Sequence, residues 1–497
     1  MTAEVLDADE EFDVVVIGAG ISGIGAATYF RRELPGKSLV VLEGRDNIGG
    51  TWDLFRYPGI RSDSDLHTFG YEFKPWRHEA AIADAPLIRE YLQETVEEND
   101  LAHHIRLRHR VVRAEWSSVD SKWTLRVEAA GSVKTIRARW VFAATGYYRY
   151  DQGFSPEFPG SADFAGRIVH PQHWPEDLDH SGKKVVVIGS GATAVTLVPA
   201  MATEARHVTM LQRTPTYIMA MPRVDRVATT LTKLLGEKRG YAATRFKNIW
   251  IEHGIVKGLR AFPKLGRAVI RRENVKRLPK GFDVDKHFTP PYDPWDQRLC
   301  LAPDGDFFDA IKAGTASVVT DTITRFSNRG IVLASGEELE ADIIVTATGL
   351  NVRLFDGMPI VVDGREIDVA DSVCYRGMLL SGVPNWAMAI GYTTSSWTLK
   401  VSLMCRYFID LVRHMDAHGH DRVVPVAPAG TPHRPVMDLQ AGYAKRAEKI
   451  LPKQGDSAPW RMAMSYPEDA RALRGPVADE HLEFGTARSA ERRSARV

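Results

Sequence analysis

Two strand, glycine-loop, helix units, one opening at Gly18 and the other at Gly189, constrain the fold of this chain more than any other feature. In the first, Phe12 to Ile17 is a β-branched apolar run that reads as a buried strand. Gly18-Ala-Gly20-Ile-Ser22-Gly23 follows at once, and Ile24 to Arg32 continues as an alanine-rich helix. Such a unit aims backbone N–H groups and the positive end of a helix at a pyrophosphate, with glycines where the backbone must approach closely. In the second, the strand Lys183 to Ile188 leads into Gly189-Ser190-Gly191-Ala192-Thr193-Ala194, where alanine replaces the third glycine, and a helix from Ala194 to about Ala202 follows. The pattern predicts an α/β fold with two Rossmann-like dinucleotide-binding domains.

The two units differ in charge where it matters. The strand Ser38 to Leu42 ends in Glu43, whose carboxylate accepts hydrogen bonds from a ribose diol and repels a 2′-phosphate. The strand His207 to Leu211 ends in Gln212-Arg213-Thr214, and an arginine there suits a 2′-phosphate. The contrast assigns FAD to the first loop and NADPH to the second. Phe142-Ala-Ala144-Thr145-Gly146 and Val345-Thr-Ala347-Thr348-Gly349, each an apolar strand ending in A-T-G, occur once after each nucleotide motif. They read as the turns at which the chain crosses between domains.

The bulk properties narrow the class further. With 497 residues, the chain has room for roughly three domains. Its 64 Lys and Arg nearly cancel 63 Asp and Glu, so no overall bias toward nucleic acid or anionic membrane is expected. Cys300, Cys374 and Cys405 are odd in number and far apart, which suits free thiols in a reducing, cytoplasmic setting. They also lack the C-x-x-C or C-x4-C spacing of a flavin-dependent disulfide reductase. The acidic N-terminus (Glu4, Asp7, Asp9, Glu10, Glu11) does not read as a secretory signal, no apolar run approaches a transmembrane span, and no metal site is expected. The Arg- and Ser-rich segment 486–497 reads as a disordered tail.

Between the two loops stands Phe164-Ala-Gly166-Arg-Ile-Val-His170-Pro-Gln-His-Trp174-Pro175. The pattern F-x-G-x-x-x-H-x-x-x-W-P resembles the fingerprint of type I Baeyer–Villiger monooxygenases. The strings at 49–65, 170–179 and 293–301 look most like the ethionamide-activating subgroup of that family. The resemblance implies an enzyme that uses FAD, NADPH and O2 to convert ketones to esters or lactones through a C4a-peroxyflavin, with sulfide oxidation as a second activity. A flavin-containing S- or N-oxygenase without Baeyer–Villiger activity is the alternative.

By the same resemblance, the catalytic residues are Arg298, which offsets negative charge at the reacting centre, and Asp63, which orients it. FAD contacts are expected at Ser22, Glu43, Gly50, Thr51, Trp52, Asp53, Leu54, Asp63 and, through backbone, Val111, besides Gly18, Gly20 and Gly23. NADPH contacts are expected at Arg61, Ser62, Asp63, Gly189 to Val195, Arg213 and Thr214. Many relatives carry a lysine just before the active-site arginine where this chain has Gln297, which places more of the phosphate binding on Arg213. His170 and the fingerprint are read as a joint between domains rather than as catalysts.

The expected domains are 1–150 (FAD, first part), 151–222 (NADPH, first part), 223–296 (helical insert), 297–377 (NADPH, second part) and 378–485 (FAD, second part). The insert resembles the helical cover of the substrate cavity in that family, with helices at Val227 to Leu235 and Tyr241 to Ile251. Arg223 to Lys280 carries 16 Lys or Arg against 4 Asp or Glu, a net of +12. This face is either solvated near a phosphate-rich cofactor or able to touch an anionic membrane.

Overall fold

The computed structural model describes residues 10–297, 299–393, 395–437 and 441–487. In the first unit, Ile105–Arg106, Leu39–Leu42, Glu10–Ile17 and the second half of Ser132–Ala143 lie side by side and parallel, with Trp386–Met388 beyond. The first half of Ser132–Ala143 instead pairs antiparallel with Lys122–Ala129, which pairs with His109–Ser117. One long strand thus serves both a nucleotide-binding sheet and a meander. Helices Ile21–Glu33 and Trp397–His418 cover one face, where Phe30, Phe142 and Phe408 pack ring to ring.

The second unit repeats the plan. Its parallel strands run in the order Ala316–Thr320, His207–Gln212, Lys184–Ile188, Ile343–Thr346, Arg167–Val169. In both units the glycine-loop strand lies between the strand ending at the charge-selecting residue and the strand ending in A-T-G. The reason is local. Gly18 and Gly189 turn at φ +103° and +131°, and a Cβ on them would lie 2.7 Å from the Ala144 carbonyl oxygen and 2.3 Å from that of Ala347. Each A-T-G is therefore the wall against which its glycine loop turns.

The third glycine of the first loop is held as tightly, since a Cβ on Gly23 would stand 1.8 Å from the Gly18 carbonyl oxygen. Gly23→Ala is expected to push the helix off the loop, at a cost of about 1–3 kcal/mol by overpacking. FAD content per chain, read from the absorbance of the purified protein, should fall, and full occupancy would refute this packing.

Two boundaries differ from the expectation. The chain rejoins the first sheet at Ile360–Val362, which pairs with Ala114 to Trp116, and not at 378. That strand is only three residues long and gives no periodic signal. The insert is clasped by a parallel pair, Ile218–Met221 with Cys300–Pro303, and contains Arg226–Leu235, Glu237–Ala261, Pro263–Arg277 and Val284–Phe288. Its second helix runs on to Ala261 through Gly254 and Gly258, where an added Cβ would meet nothing within 4 Å. Among the described residues no helix is long and apolar enough to cross a membrane. Residues 1–9 and 488–497, with most of the expected tail, lie outside the described residues.

The fingerprint ties the two crossovers together. Phe164 packs edge-on against Phe326, and a Cβ on Gly166 would strike the Asp342 carbonyl oxygen at 2.2 Å. His170 accepts the Gln172 N–H at Nδ1 (3.1 Å), so its proton sits on Nε2, 3.3 Å from the Gly349 carbonyl of the second A-T-G. Gln172 Nε2 donates to the carbonyls of Arg149 (2.7 Å) and Tyr150 (2.9 Å), just past the first A-T-G. His170 is thus a fastener.

Burial, aided by His173, lowers its pKa below the usual histidine value. A histidine with a lowered folded pKa binds its proton more readily in the unfolded chain. The stability it supplies is present above about pH 6.5 and is lost as pH falls below that value. His170→Asn keeps an acceptor for the Gln172 N–H. It should give a lower Tm at neutral pH and a shallower fall in Tm between about pH 7 and pH 5 than the parent. An equally steep fall would dismiss His170 as a contributor.

Candidate functional site: a cavity shared by two nucleotide loops

A cavity of about 750 Å3 runs from the first glycine loop to the start of the second loop's helix. Gly18, Gly20, Ser22, Glu43, Gly50, Thr51, Trp52, Leu54 and Val111 line it on one side, and Ala192 and Thr193 on the other, with Arg61, Ser62 and Asp63 between. Most of the residues expected to touch cofactor are therefore gathered in one space.

Glu43 is only 7% exposed. Its carboxylate accepts the backbone N–H groups of Ala19 (2.7 Å) and Arg45 (3.0 Å). Burial raises its pKa, and those two N–H groups pull it back. The buried carboxylate facing the cavity fits a diol, which would add two donors without adding charge. Ser22 meets a partner from far along the chain: Trp397 Nε1 donates to its Oγ at 2.7 Å, while the indole stacks on Tyr147 (5.4 Å between centroids, 25° between planes). Trp397 both lines the cavity and packs against the core.

The loop at 52–63 bridges the units. Phe55 and Tyr57 are buried in the core of the second unit, with Val195 and Val198. The turn at Gly59, at φ +74°, lies so close to the helix Ala192–Met201 that a Cβ would come 2.6 Å from the Ala200 Cβ. Phe55 and Tyr57 thus belong to that core and also line the cavity, together with Trp52, Leu54 and Ile60 to Asp63. Arg61, its side chain 7% exposed, forms an ion pair with Asp306 at the start of Asp306–Lys312. Asp63 is brought between the two loops.

Several of the expected contact residues do not line this cavity. Asp53 is 4% exposed and off the cavity; it binds Arg45 (2.9 Å), which in turn donates to the Gly50 carbonyl (3.0 Å). It shapes the loop. Gly23 packs on Gly18 rather than facing the cavity. Ala194 and Val195 are buried in the core, and the Val195 N–H is spent on the Gly191 carbonyl. Gly189, Ser190 and Gly191 form the loop itself, with the Ser190 hydroxyl donating to the Thr214 carbonyl (3.1 Å). Arg213 stands exposed at the end of its strand and forms no ion pair with a described residue. Arg298 lies outside the described residues; its neighbour Leu301 lines the cavity.

Sequence reasoning missed the tyrosines. Tyr147, Tyr148 and Tyr150 line the cavity directly after the first A-T-G, and burial raises the Tyr150 phenol to about 12. Tyr57, whose pKa burial also raises, lines the same cavity, as does Thr193 of the second unit. Three tyrosines in four residues after a crossover turn were the available signal.

Fold and cavity together define an oxidoreductase with two dinucleotide-binding units. A family model described as pyridine nucleotide-disulphide oxidoreductase matches residues 12–240. The chain is 52% identical over 484 residues to the FAD-containing monooxygenase EthA of Mycolicibacterium smegmatis, covering 97% of this chain and 98% of that one. It is 48% identical to EthA of Mycobacterium tuberculosis, covering 96% and 98%. An oxidised steroid monooxygenase bound to NADP superposes with a TM-score of 0.77 at 21% identity, covering 96% of this chain and all of that one. An open cyclohexanone monooxygenase gives 0.74 at 20%, with the same coverage. The chain belongs to the family of FAD-containing monooxygenases. Disulphide chemistry finds no support here, since Cys300, Cys374 and Cys405 are buried in three separate apolar clusters.

Proposed function

We propose that this flavin monooxygenase is a Baeyer–Villiger enzyme that consumes NADPH and O2 to convert ketones to esters or lactones, and that it also oxidises sulfides. The reading is carried by one observation: a single cavity joins the loop that presents Glu43 to the loop that presents Ala192 and Thr193, with Asp63 between them. The fingerprint that fastens both crossovers supports it. With FAD and NADPH bound, the pair supplies hydride and activates dioxygen, one atom of which enters the bond beside the ketone carbonyl while the other leaves as water.

The chain's own groups divide the remaining work. Glu43 accepts the ribose hydroxyls, and the Gly18 loop takes the pyrophosphate on backbone N–H groups. Arg213 binds the 2′-phosphate of NADPH. Arg298 remains protonated and offsets the negative charge that develops on the ketone oxygen, and Asp63 orients it. Trp397 and Tyr147, stacked on each other, form an aromatic wall of the cavity. A cytoplasmic setting is part of the proposal, on the strength of the three buried thiols. The test is NADPH consumption and product mass against linear, cyclic and aryl ketones and sulfides. Esters or lactones formed in step with NADPH use support the reading, and NADPH use without any oxygenated ketone product would overturn it.

A further inference from the structure

Most of the large apolar side chains left exposed among the described residues lie between Val224 and Val275. They include Leu234 (75%), Phe246 (66%), Phe262 (66%), Leu265 (64%) and Trp250 (48%). A scatter of single exposed apolar residues needs no explanation, but a concentration on one subdomain does. The segment Arg223 to Lys280 also carries the net charge of +12.

The two properties share the same outward surface. In Glu237–Ala261, Tyr241, Arg245 and Ile249 point inward at four-residue spacing and are buried. Phe246, Trp250 and Lys257 fall on the opposite side and are exposed. In Pro263–Arg277, Gly266, Ile270 and Asn274 are buried, whereas Leu265, Val269 and Arg272 face out. Several cations of this segment are spent in ion pairs, such as Lys247 with Asp225 and Arg271 with Asp285. Lys257, Arg260, Lys264 and Arg272 are exposed and form no ion pair with a described residue.

We infer that this helical insert docks on an anionic lipid surface. Phe246, Trp250, Phe262 and Leu265 would enter the headgroup and acyl boundary, and Lys257, Arg260, Lys264 and Arg272 would meet lipid phosphates. Aromatic side chains interleaved with cations on projecting helices match that boundary, where one end of each contact is apolar and the other charged. Charge decides against a second copy of the chain as the occupant: a two-fold contact through this face would set +12 against +12.

The inward side of the same helix reaches the cavity wall. Ile249 packs with Tyr392 and Leu399, and the Ser395 hydroxyl donates to the Glu252 carboxylate at 2.9 Å. Tyr392 and Ser395 line the cavity. The docked insert therefore lies between bilayer and cavity, the position from which a water-insoluble substrate dissolved in lipid would enter. That last step rests on the ketone-oxidising reading; the docking does not.

The test is flotation of the FAD-loaded full chain with vesicles of phosphatidylcholine alone, or with roughly one-third phosphatidylglycerol. The parent should float with the anionic vesicles only, and be released by about 0.5 M salt. Lys257→Glu/Arg260→Glu/Lys264→Glu should weaken vesicle binding on the order of a hundredfold. Phe246→Ser/Trp250→Ser should weaken it independently of salt. All variants should keep the parent's flavin absorbance and its vesicle-free rate of NADPH oxidation, which tests the functional reading separately. A parent that does not float, variants that float like the parent, or a dimer that the variants split in light scattering would each overturn the proposal.

Discussion

Arg298→Ala is expected to leave reduction of the bound FAD by NADPH at the parental rate and to lower ester formation on the order of a hundredfold or more. Hydride transfer needs the nicotinamide placed against the flavin, a task the proposed function gives to the two glycine loops and Arg213. Oxygen insertion needs a fixed positive charge where negative charge appears on the ketone oxygen. Arginine suits that role because its guanidinium stays protonated at any working pH. Anaerobic stopped-flow bleaching of the flavin reads the first step, and product quantified in air reads the second. Equal loss of both would make Arg298 a cofactor-binding residue, and normal ester yield would remove it from the chemistry.

Arg213→Glu should change the ratio of kcat/KM for NADPH to that for NADH by on the order of a hundredfold or more, because a carboxylate beside the 2′-phosphate replaces attraction by repulsion. Two observations support so large an effect. Arg213 is exposed at the end of the strand beside the second glycine loop, and it forms no ion pair with a described residue. The cavity-side positions of the first unit carry Glu43 instead, so the same substitution logic predicts no change in FAD content. An unchanged NADPH preference would place the phosphate elsewhere.

The double-unit plan could be read from the chain because glycine loops are written in sequence. A left-handed first glycine and a buried β-branched strand leave few other folds open. The A-T-G repeats were visible as words, but their purpose emerged only in three dimensions, where Ala144 and Ala347 support Gly18 and Gly189. What escaped was long-range. Nothing local says that Trp397 will cap Ser22, that Asp306 will hold Arg61, or that Phe55 and Tyr57 of the first unit will be buried in the core of the second. The role of Asp53 within its loop was hidden for a related reason. Its carboxylate pairs with Arg45, which in turn donates to the Gly50 carbonyl, a bracing that the local sequence does not announce.

Baeyer–Villiger oxidation by this chain is tested most directly by the mass of the product formed from an aryl or linear ketone with NADPH under isotopically heavy dioxygen. The expected product is an ester that carries a single heavy oxygen, placed between the carbonyl carbon and the migrated group, with one NADPH consumed per ester. Heavy hydrogen peroxide with unchanged ketone, or oxygenation confined to sulfur and nitrogen substrates, would contradict it.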